Sequence, residues 1–366
     1  HDPLSLRRAT AAVALVDGAN RPASAIRELL HDSDQEVRLR VAMALVEHKD
    51  KTAVPALIER LGDRSVDQLW QAEELLRRLA GSKAPAVSLG NSAADQRRCQ
   101  EAWAAWWRKE GPRVDMAALN SVPRQLGYTL IVQFLQWGNN SGRVYEIGPD
   151  KKVRWHVDGY NMPVDAQLVA HNHVLVADFY QSEVTERDLK GKIVWQHQAS
   201  NPVSVQRLPN GHTFIAGQNE IKEIEHSGKT VYTFAPPGGA CMAARKLRNG
   251  QIVAISNTGT LSRVDTTGKL LKSFSVGNVN WGGMDVLSNG HILVAQQNMS
   301  KVVEYDPDGK AVWQYSTNWP SSAVRLANGN TLIASQNSQE VFEVTRAGKK
   351  VWDYRTDGHP WHARRR

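Results

Sequence analysis

Cysteine is nearly absent from the sequence, since Cys99 and Cys241 are the only two in 366 residues. Two isolated thiols argue against a disulfide framework and against a thiolate metal site. Long apolar runs are also missing, because no stretch approaches 18 apolar residues, and no membrane-spanning helix is expected. There is no signal-peptide pattern, and we interpret His1 as a processed N-terminus.

The short motifs of common catalytic sites are missing too. There is no glycine-rich phosphate loop, no nucleophile elbow and no aromatic-basic signature of RNA binding. Three acidic residues are candidates for a catalytic site, namely Asp165, Glu183 and Glu220. They do not recur at a fixed spacing and do not form a pair of carboxylates. His359 and His362 are the best candidates for an acid–base or metal-binding pair. We therefore assign no catalytic residue and no cofactor, and the metal content stays unknown.

What the sequence has is a repeat. Residues 322–354 read as four short strands separated by tight turns, with Asn328-Gly329 at the first turn and Gly348 at the third. Copies of the first turn recur every 39 or 40 residues, and copies of the third turn number six. A period near 40 with four strands in each unit predicts a β-propeller.

The last residues predict how the ring closes. The first copy, residues 127–157, has no convincing first strand, whereas residues 359–364 match the opening of the other repeats. A C-terminal strand that completes the first blade would close a six-bladed ring and leave no exposed edge.

Residues 1–110 are different, because they are rich in Ala, Leu, Arg and Glu and contain no strand pattern. Residues 25–32 recur 31 positions later as residues 56–63, and apolar residues follow each copy at helical spacing. This pattern predicts an α-solenoid. A last helix carries Trp103, Trp106 and Trp107 on one face, where they would cap or dock the solenoid or, alternatively, stack on a cofactor or ligand.

These patterns predict a multidomain α plus all-β protein, with a helical repeat domain at 1–111, a linker at 112–123 and a six-bladed propeller at 124–366. The first 120 residues hold 18 Lys and Arg against 17 Asp and Glu, and the rest hold 27 against 20. A basic propeller is compatible with a polyanion, although many of its lysines simply flank turn glycines. We do not expect nucleic acid to bind.

One side of the predicted propeller carries amides and indoles. The loops between blades and the turns after second strands lie on this side, and both are rich in Asn, Gln and Trp. Amides with aromatic rings suit a sugar, a peptide or another polar ligand, while the plain alternative is that Asn and Pro only form loops. The candidate ligand-binding residues are Asn161, Asn201, Asn280, Trp281, Asn318, Trp319, His359 and Trp361.

Two parts of the chain resemble known families. Residues 34–45 contain a motif similar to that of HEAT repeats. Residues 306–313, Asp-Pro-Asp-Gly-Lys-Ala-Val-Trp, resemble the blade motif of pyrroloquinoline-quinone-type propellers, and residues 326–334 resemble NHL-type and arylsulfotransferase-like propellers. Quinoprotein dehydrogenases of that class use eight blades, calcium and a vicinal disulfide, whereas this chain has six units and no adjacent cysteines. Bacterial proteins that join HEAT-like repeats to such a propeller are similar along the length, which implies export to the periplasm or beyond.

Three functional hypotheses follow. The first is a non-enzymatic binding or scaffold protein that meets a protein partner, or further copies of itself, through the solenoid and the Asn/Trp-rich face. The second is an exported oxidoreductase or hydrolase that uses His359 or His362 with a metal. The third is a protein that binds a polyanion or an anionic glycan through the basic propeller.

Overall fold

The computed structural model describes residues 4–18, 24–62, 69–87, 89, 93–120, 127–136, 140–169, 172–247, 249–279, 281–287 and 289–366. Of the single residues named above, His1 and Asn280 lie outside these ranges. The chain divides into two compact units. The first comprises residues 1–128 with 147–155 and 366, and the second comprises 129–146 with 156–365. Within the described residues, no helix is both long enough and apolar enough to cross a membrane.

The helical region is short. Its α-helices are Ser5–Gly18 (α1), Ser24–Glu28 (α2), Gln35–Glu47 (α3), Val54–Arg60 (α4), Leu69–Ala80 (α5) and Ala93–Glu110 (α6). The HEAT-like motif begins α3, where the Asp34 carboxylate caps the helix by accepting from the backbone N–H groups of Glu36 and Val37. Trp103 and Trp106 of α6 are buried in the core of this unit, with ring centroids 5.3 Å apart. They are core residues of the helical unit.

The β-strands form six antiparallel four-stranded sheets, which are the blades of the predicted propeller. Blade 1 contains β1 (Thr129–Phe134), β2 (Gly142–Ile147), β3 (Val153–Tyr160) and β24 (His359–Arg365). Blade 2 contains β4 (Pro163–Val169), β5 (His173–Asp178), β6 (Glu183–Asp188) and β7 (Ile193–Gln198). Blade 3 contains β8 (Pro202–Arg207), β9 (Thr213–Gly217), β10 (Ile221–Ile224) and β11 (Thr230–Phe234).

The remaining blades follow the same order. Blade 4 contains β12 (Cys241–Lys246), β13 (Ile252–Ser256), β14 (Thr260–Val264) and β15 (Leu270–Ser275). Blade 5 contains β16 (Met284–Val286), β17 (Ile292–Gln296), β18 (Lys301–Tyr305) and β19 (Ala311–Ser316). Blade 6 contains β20 (Pro320–Arg325), β21 (Thr331–Ser335), β22 (Glu340–Val344) and β23 (Lys350–Arg355). The expected six-bladed fold is confirmed.

The C-terminal strand closes the ring as predicted. β24 pairs with β1 in antiparallel register, from Thr129 opposite Arg365 to Phe134 opposite His359. It therefore serves as the inner strand of blade 1, and its neighbours in the ring are β20 of blade 6 and β4 of blade 2. Pairing the last strand with the first leaves no open edge between the two ends of the ring.

The first turn of blade 6 is longer in the structure than its sequence indicates. At Asn328-Gly329 only Gly329 adopts a positive φ, of 84°. Leu326 N donates to Asn330 O at 2.9 Å, while Leu326 O accepts from Gly329 N at 2.9 Å, so the loop has three residues. This is a type I turn followed by a left-handed residue, and not the two-residue turn that the dipeptide indicates. Glycine is favoured there because it carries no Cβ.

Candidate binding site at the channel mouth

The propeller has two unlike faces, because consecutive turns of a four-stranded meander alternate between its ends. We call the side with the first and third turns of each blade the turn face; it includes residues 188–192, 208–212, 306–310 and 326–330. The side with the second turns and the segments between blades is the loop face; it includes residues 135–136, 140–141, 179–182, 218–220, 297–300, 317–319 and 356–358. The predicted ligand-binding residues that the structure describes lie on this face or, for His359 and Trp361, at the start of β24 next to it.

Large apolar side chains are exposed on the loop face. Four of them are between 40 and 49% exposed, namely Leu135, Tyr180, Met299 and Trp319. Among the described residues, the turns of the turn face carry no exposed large apolar side chain. The other exposed apolar residues of the propeller lie on the outermost strands, such as Val312 of β19 and Val351 of β23. The loop face is therefore the apolar end of the ring.

The turn face holds a repeated cluster instead. Glu304 is buried, and its carboxylate accepts from His291 Nδ1 at 2.8 Å and from Arg325 Nη2 at 2.6 Å, while Arg325 lies 4.9 Å above the Trp313 ring. The same arrangement recurs between other blades. Each set has an acidic side chain, a hydrogen-bond donor to it, a cationic side chain and an aromatic ring under the cation. The sets are Glu186 with His173, Arg207 and Trp195; Glu223 with His212, Lys246 and Tyr232; and Glu343 with Asn330, Arg365 and Trp352.

The inner strands of the blades surround a central channel and are linked by a second repeated pattern. A polar side chain on one inner strand accepts a hydrogen bond from a backbone N–H about forty residues later, on the next inner strand. The pairs are Asp165 with Val205, Gln167 with Arg207, Ser204 with Ala244, Gln206 with Lys246, Asp285 with Arg325 and Ser322 with Ala363. These bonds hold the blades in the ring and place their side chains in the channel.

Blade 5 differs from the other blades in the length of its inner strand and in the segment before it. Its inner strand has three residues, whereas the other inner strands have six or seven. Before it stand Trp281, Gly282 and Gly283, and a Cβ on Gly282 would lie 1.9 Å from the Ala295 carbonyl oxygen. Trp281 itself has a φ of 56°, a conformation that costs a bulky residue free energy. The backbone thus departs from the repeat at the point where it projects an indole.

That indole spans the channel mouth. Trp281 meets Phe179 of blade 2, on the opposite side of the six-membered ring, with centroids 4.9 Å apart. It also meets Trp361 of blade 1 at 5.6 Å, and Trp361 in turn packs on Phe134 at 5.8 Å. His359 lies 5.5 Å from Phe134 on the other side. Aromatic rings from three blades therefore close over the loop-face end of the channel.

Beneath this cluster lies a cavity of about 30 Å³, which is large enough for about two water molecules. Its upper wall is apolar and includes Val164, Val203, Met242 and Met284 together with the two indoles. Its floor is polar and includes Asp165, Ser204, Arg245 and His362. A small apolar chamber with a polar base is a common form of ligand site.

The floor is organised around one carboxylate. Asp165 is buried, and its oxygens accept from Val205 N at 3.0 Å, Arg245 Nη1 at 3.0 Å and Arg364 Nη2 at 2.8 Å. Arg364 Nε also donates to His362 Nε2 at 2.9 Å. Burial lowers the pKa of His362 to about 4, which favours the neutral imidazole. The floor is therefore a network of one carboxylate, two guanidinium groups and a neutral histidine.

The structure brings three of the predicted residues together: Trp281 and Trp361 line the cavity, and His359 joins their cluster through Phe134. Trp319 is on the same face with its ring 40% exposed and a φ of 45°. The asparagines act in loop bonding, since Asn161 N donates to Asp178 at 2.7 Å and Asn201 O accepts from Gln218 N at 3.1 Å. Asn318 is exposed, and its carbonyl accepts from the Ser335 hydroxyl.

Sequence reasoning missed Phe134, Phe179, Tyr180 and Arg245, and it treated Asp165 as an unpaired acid. The signal for Asp165 was its register, because it occupies the inner-strand position at which Ser204 and Ser322 recur. Phe179 had no such signal, since only the closed ring brings blade 2 opposite blade 5. His359 and His362 are not a pair, because His362 bonds to Arg364 and His359 packs on Phe134. Among the described residues, no group of three or more His, Cys, Asp or Glu side chains could hold a metal ion.

Comparisons with known proteins agree with this architecture. The family described as HEAT repeats matches residues 1–77, and the family described as outer membrane protein assembly factor BamB matches residues 248–366. No curated protein matches the chain.

Solved structures also match. A protein of unknown function from Bacteroides caccae is 17% identical with a TM-score of 0.54, covering 64% of this chain and 97% of that one. The WD40 β-propeller domain of Doa1 is 15% identical with a TM-score of 0.48, covering 64% and 88%. A catalytically inactive virginiamycin B lyase from Staphylococcus aureus, solved with quinupristin, is 13% identical with a TM-score of 0.46, covering 62% and 84%. The chain thus carries HEAT repeats at its N-terminal end and, after them, a six-bladed β-propeller similar to the assembly factor BamB.

Proposed function

We propose that this chain is a non-enzymatic binding protein that recognises a protein partner through the loop face of its propeller. The observation that supports this most directly is the contrast in exposed apolar surface. Leu135, Tyr180, Met299 and Trp319 are all on the loop face, and the described turns of the opposite face have no counterpart. Large exposed side chains of this kind, Tyr and Trp above all, supply most of the binding energy at protein interfaces.

The backbone supports the same proposal. Trp281 and Trp319 both hold left-handed φ angles, which cost a non-glycine residue about 1–3 kcal/mol. Trp319 is 40% exposed, so a large part of its apolar surface stays in contact with solvent. A strained backbone that displays an indole to solvent is better explained by binding than by stability.

Two further observations agree with a role in assembly. The similar family is described as an assembly factor, and the helical unit exposes Leu4, just before α1, and Leu15 of α1. Two unlike apolar surfaces on one chain allow it to contact two partners, or further copies of itself. We propose that the chain acts after export, in the periplasm or outside the cell.

Site-specific photo-crosslinking tests the proposal. A photoreactive amino acid is placed at position 180 or 319 of the loop face, and as matched controls at position 312 or 351 of the outer strands, where exposure is similar. The protein is expressed in its native source, irradiated and separated by mass. We expect discrete protein adducts at 180 and 319, at yields at least about fivefold above those at 312 and 351.

The same adducts should decrease when Met299→Ser is added, because that residue belongs to the same face. Sedimentation velocity of the purified chain shows whether the adduct is a second copy. Equal yields at all four positions, or no adduct at 180 and 319, would contradict the proposal.

A further inference from the structure

The polar floor of the channel cavity has more hydrogen-bond donors than acceptors. Asp165 supplies acceptor oxygens, but they already receive three N–H groups, from Val205, Arg245 and Arg364. A guanidinium group can only donate, so neither Arg245 nor Arg364 offers an acceptor to a ligand. The floor's principal acceptor is therefore already engaged.

Two neutral side chains add donors. His362 Nε2 accepts from Arg364 Nε, so the hydrogen of the neutral imidazole is on Nδ1, which is a donor. Ser204 Oγ accepts from Ala244 N at 3.1 Å, which leaves its hydroxyl hydrogen to donate. His362 is 93% buried and lines the cavity, so its donor belongs to an enclosed site. A group that enters here must accept hydrogen bonds.

The charges favour an anion. Two guanidinium groups face the single carboxylate of Asp165. The other carboxyl on these inner strands is Asp285, which accepts from Arg325 N at 3.0 Å; burial raises its pKa, and the nearby charges of Arg245 and Arg325 act in the opposite direction. At the floor itself two guanidinium groups bond to one carboxylate, and this excess of positive charge in a partly dry chamber attracts an anion.

The size and walls of the chamber restrict the anion. A space of about 30 Å³ takes a group of a few atoms, and the valines, methionines and indoles above the floor suit carbon next to it. A carboxylate is planar and matches the fork of a guanidinium. We infer that the channel beneath Trp281 and Trp361 binds a carboxylate group attached to a small apolar body, through Arg245, His362 and Ser204.

This inference rests on the proposed function, since the carboxylate would belong to what the loop face recognises. It has two sources, the C-terminus of a partner chain or a free short organic acid. Calorimetry of the full chain with three probes separates them: sodium propionate, N-acetyl-dialanine with a free carboxylate, and the amide of that dipeptide. We expect one or both carboxylates to bind, and the amide to bind at least about tenfold more weakly.

Variants locate the site. Arg245→Gln should weaken carboxylate binding about tenfold, because it removes a charged donor. His362→Phe should weaken it as well, and it leaves Asp165 paired with both arginines, so it remains informative if Arg245→Gln unfolds. Arg263→Gln on β14 is the matched control, since Arg263 does not line the cavity, and it should leave binding unchanged. Thermal unfolding of each variant verifies the fold.

The outcomes are distinct. Tighter binding of the dipeptide than of propionate assigns the site to a chain end, and equal or tighter binding of propionate assigns it to a free acid. The inference is overturned if neither carboxylate binds, or if both variants bind as the parent does. Crosslinks at 180 and 319 that persist in that case would leave the proposed function standing, whereas carboxylate binding without crosslinks would remove the proposed function alone.

Discussion

The turn face and the loop face are built from the same repeats, but they differ in whether their side chains pair with one another or are exposed to solvent. On the turn face, four sets of an acidic side chain, a hydrogen-bond partner, a cation and an aromatic ring are paired within the protein, as Glu304 is with His291 and Arg325. On the loop face, blade 5 departs from the repeat, Trp281 reaches across the channel, and Tyr180 and Trp319 remain exposed. The blades keep the repeat where side chains form hydrogen bonds and ion pairs with one another. They depart from it where side chains are exposed to solvent.

The backbone shows the same contrast. At the third turn of five blades the left-handed position is glycine, as at Gly309 and Gly348, which adopts it at little cost. On the loop face, Asn201, Trp281 and Trp319 hold left-handed φ angles with full side chains. The turn face therefore follows the rules of local stability, and the loop face accepts strain in order to place particular side chains.

Removing residues 359–366 should have the largest effect, because β24 contributes to both faces at once. It carries Trp361 to the channel mouth and Arg365 to the Glu343 cluster, and it pairs with β1 along its length. A domain is stable by about 5–15 kcal/mol, so losing one inner strand should abolish cooperative unfolding of the propeller. Hydrogen exchange of β1 and β4 measures this, and Arg366→Ala, which keeps the strand, should remain protected. Native protection after the deletion would disprove the role of β24.

Glu304→Ala should be the most damaging single change on the turn face. It leaves the Arg325 guanidinium, which is 10% exposed, without its carboxylate. Leaving one member of a buried pair uncompensated costs about 4 kcal/mol. Urea unfolding of the propeller measures the loss, and loop-face crosslinks should be retained in the folded fraction. The control is Asp308→Ala, whose ion pair with Lys272 is exposed and should change stability by less than about 1 kcal/mol. Equal effects of the two substitutions would refute the contrast.

Lowering the pH should reduce the stability of the propeller through protonation of His362 in the channel. Burial lowers the pKa of His362 to about 4, whereas the unfolded chain has the ordinary histidine value. A folded pKa below the unfolded one means that the unfolded state binds more protons, so stability present above pH 6.5 is lost as the pH falls towards 4. The loss should reach about 3 kcal/mol. The contribution of His362 is isolated by measuring the free energy of unfolding of the parent and of His362→Phe between pH 7 and 4 and taking the difference. The exposed-site control His156→Gln should keep the parent's slope, and a flat difference curve would rule out this role.

The Glu304 carboxylate of the turn face titrates in a lower range than His362. Burial by itself raises the pKa of Glu304, but the hydrogen bond from His291 and the charges of Arg325 and Arg346 more than offset it, and the pKa lies below its ordinary value. Its contribution is therefore complete above about pH 4.5 and is lost only below that value. The stability contributed by His362 in the channel and that contributed by Glu304 on the turn face are therefore lost in different pH ranges.

Trp319→Gly should have the smallest effect on stability, and of opposite sign to its effect on binding. Glycine removes the cost of the left-handed φ of 45°, and little packing is lost from an exposed ring. Unfolding free energy should rise by about 0.5 kcal/mol while crosslinking from position 180 falls. Asn201→Gly is the comparison, because Asn tolerates this conformation and should change stability less. A loss of stability in Trp319→Gly would show that the indole serves packing instead.

Much of the fold was predictable because a repeat multiplies weak local signals. Asn328-Gly329 alone indicates one turn, but its copies every 39 or 40 residues predict the ring, and the match of residues 359–364 to other blade openings predicts its closure. The site was less accessible. Trp281 and Trp361 were found because they belong to blade openings that repeat, whereas Phe179 and Arg245 carried no local pattern.

The sequence by itself determined the number of blades, the helical repeats before them and the face on which the repeat is irregular, because these depend on periodicity and turn chemistry, which are local. Only the tertiary structure decided that Trp281 meets Phe179 across the channel and that Arg245 and Arg364 converge on Asp165, 80 and 199 residues away along the chain. Closing a ring brings residues of different blades to one axis, and their distance there depends on the closure and not on their separation in sequence.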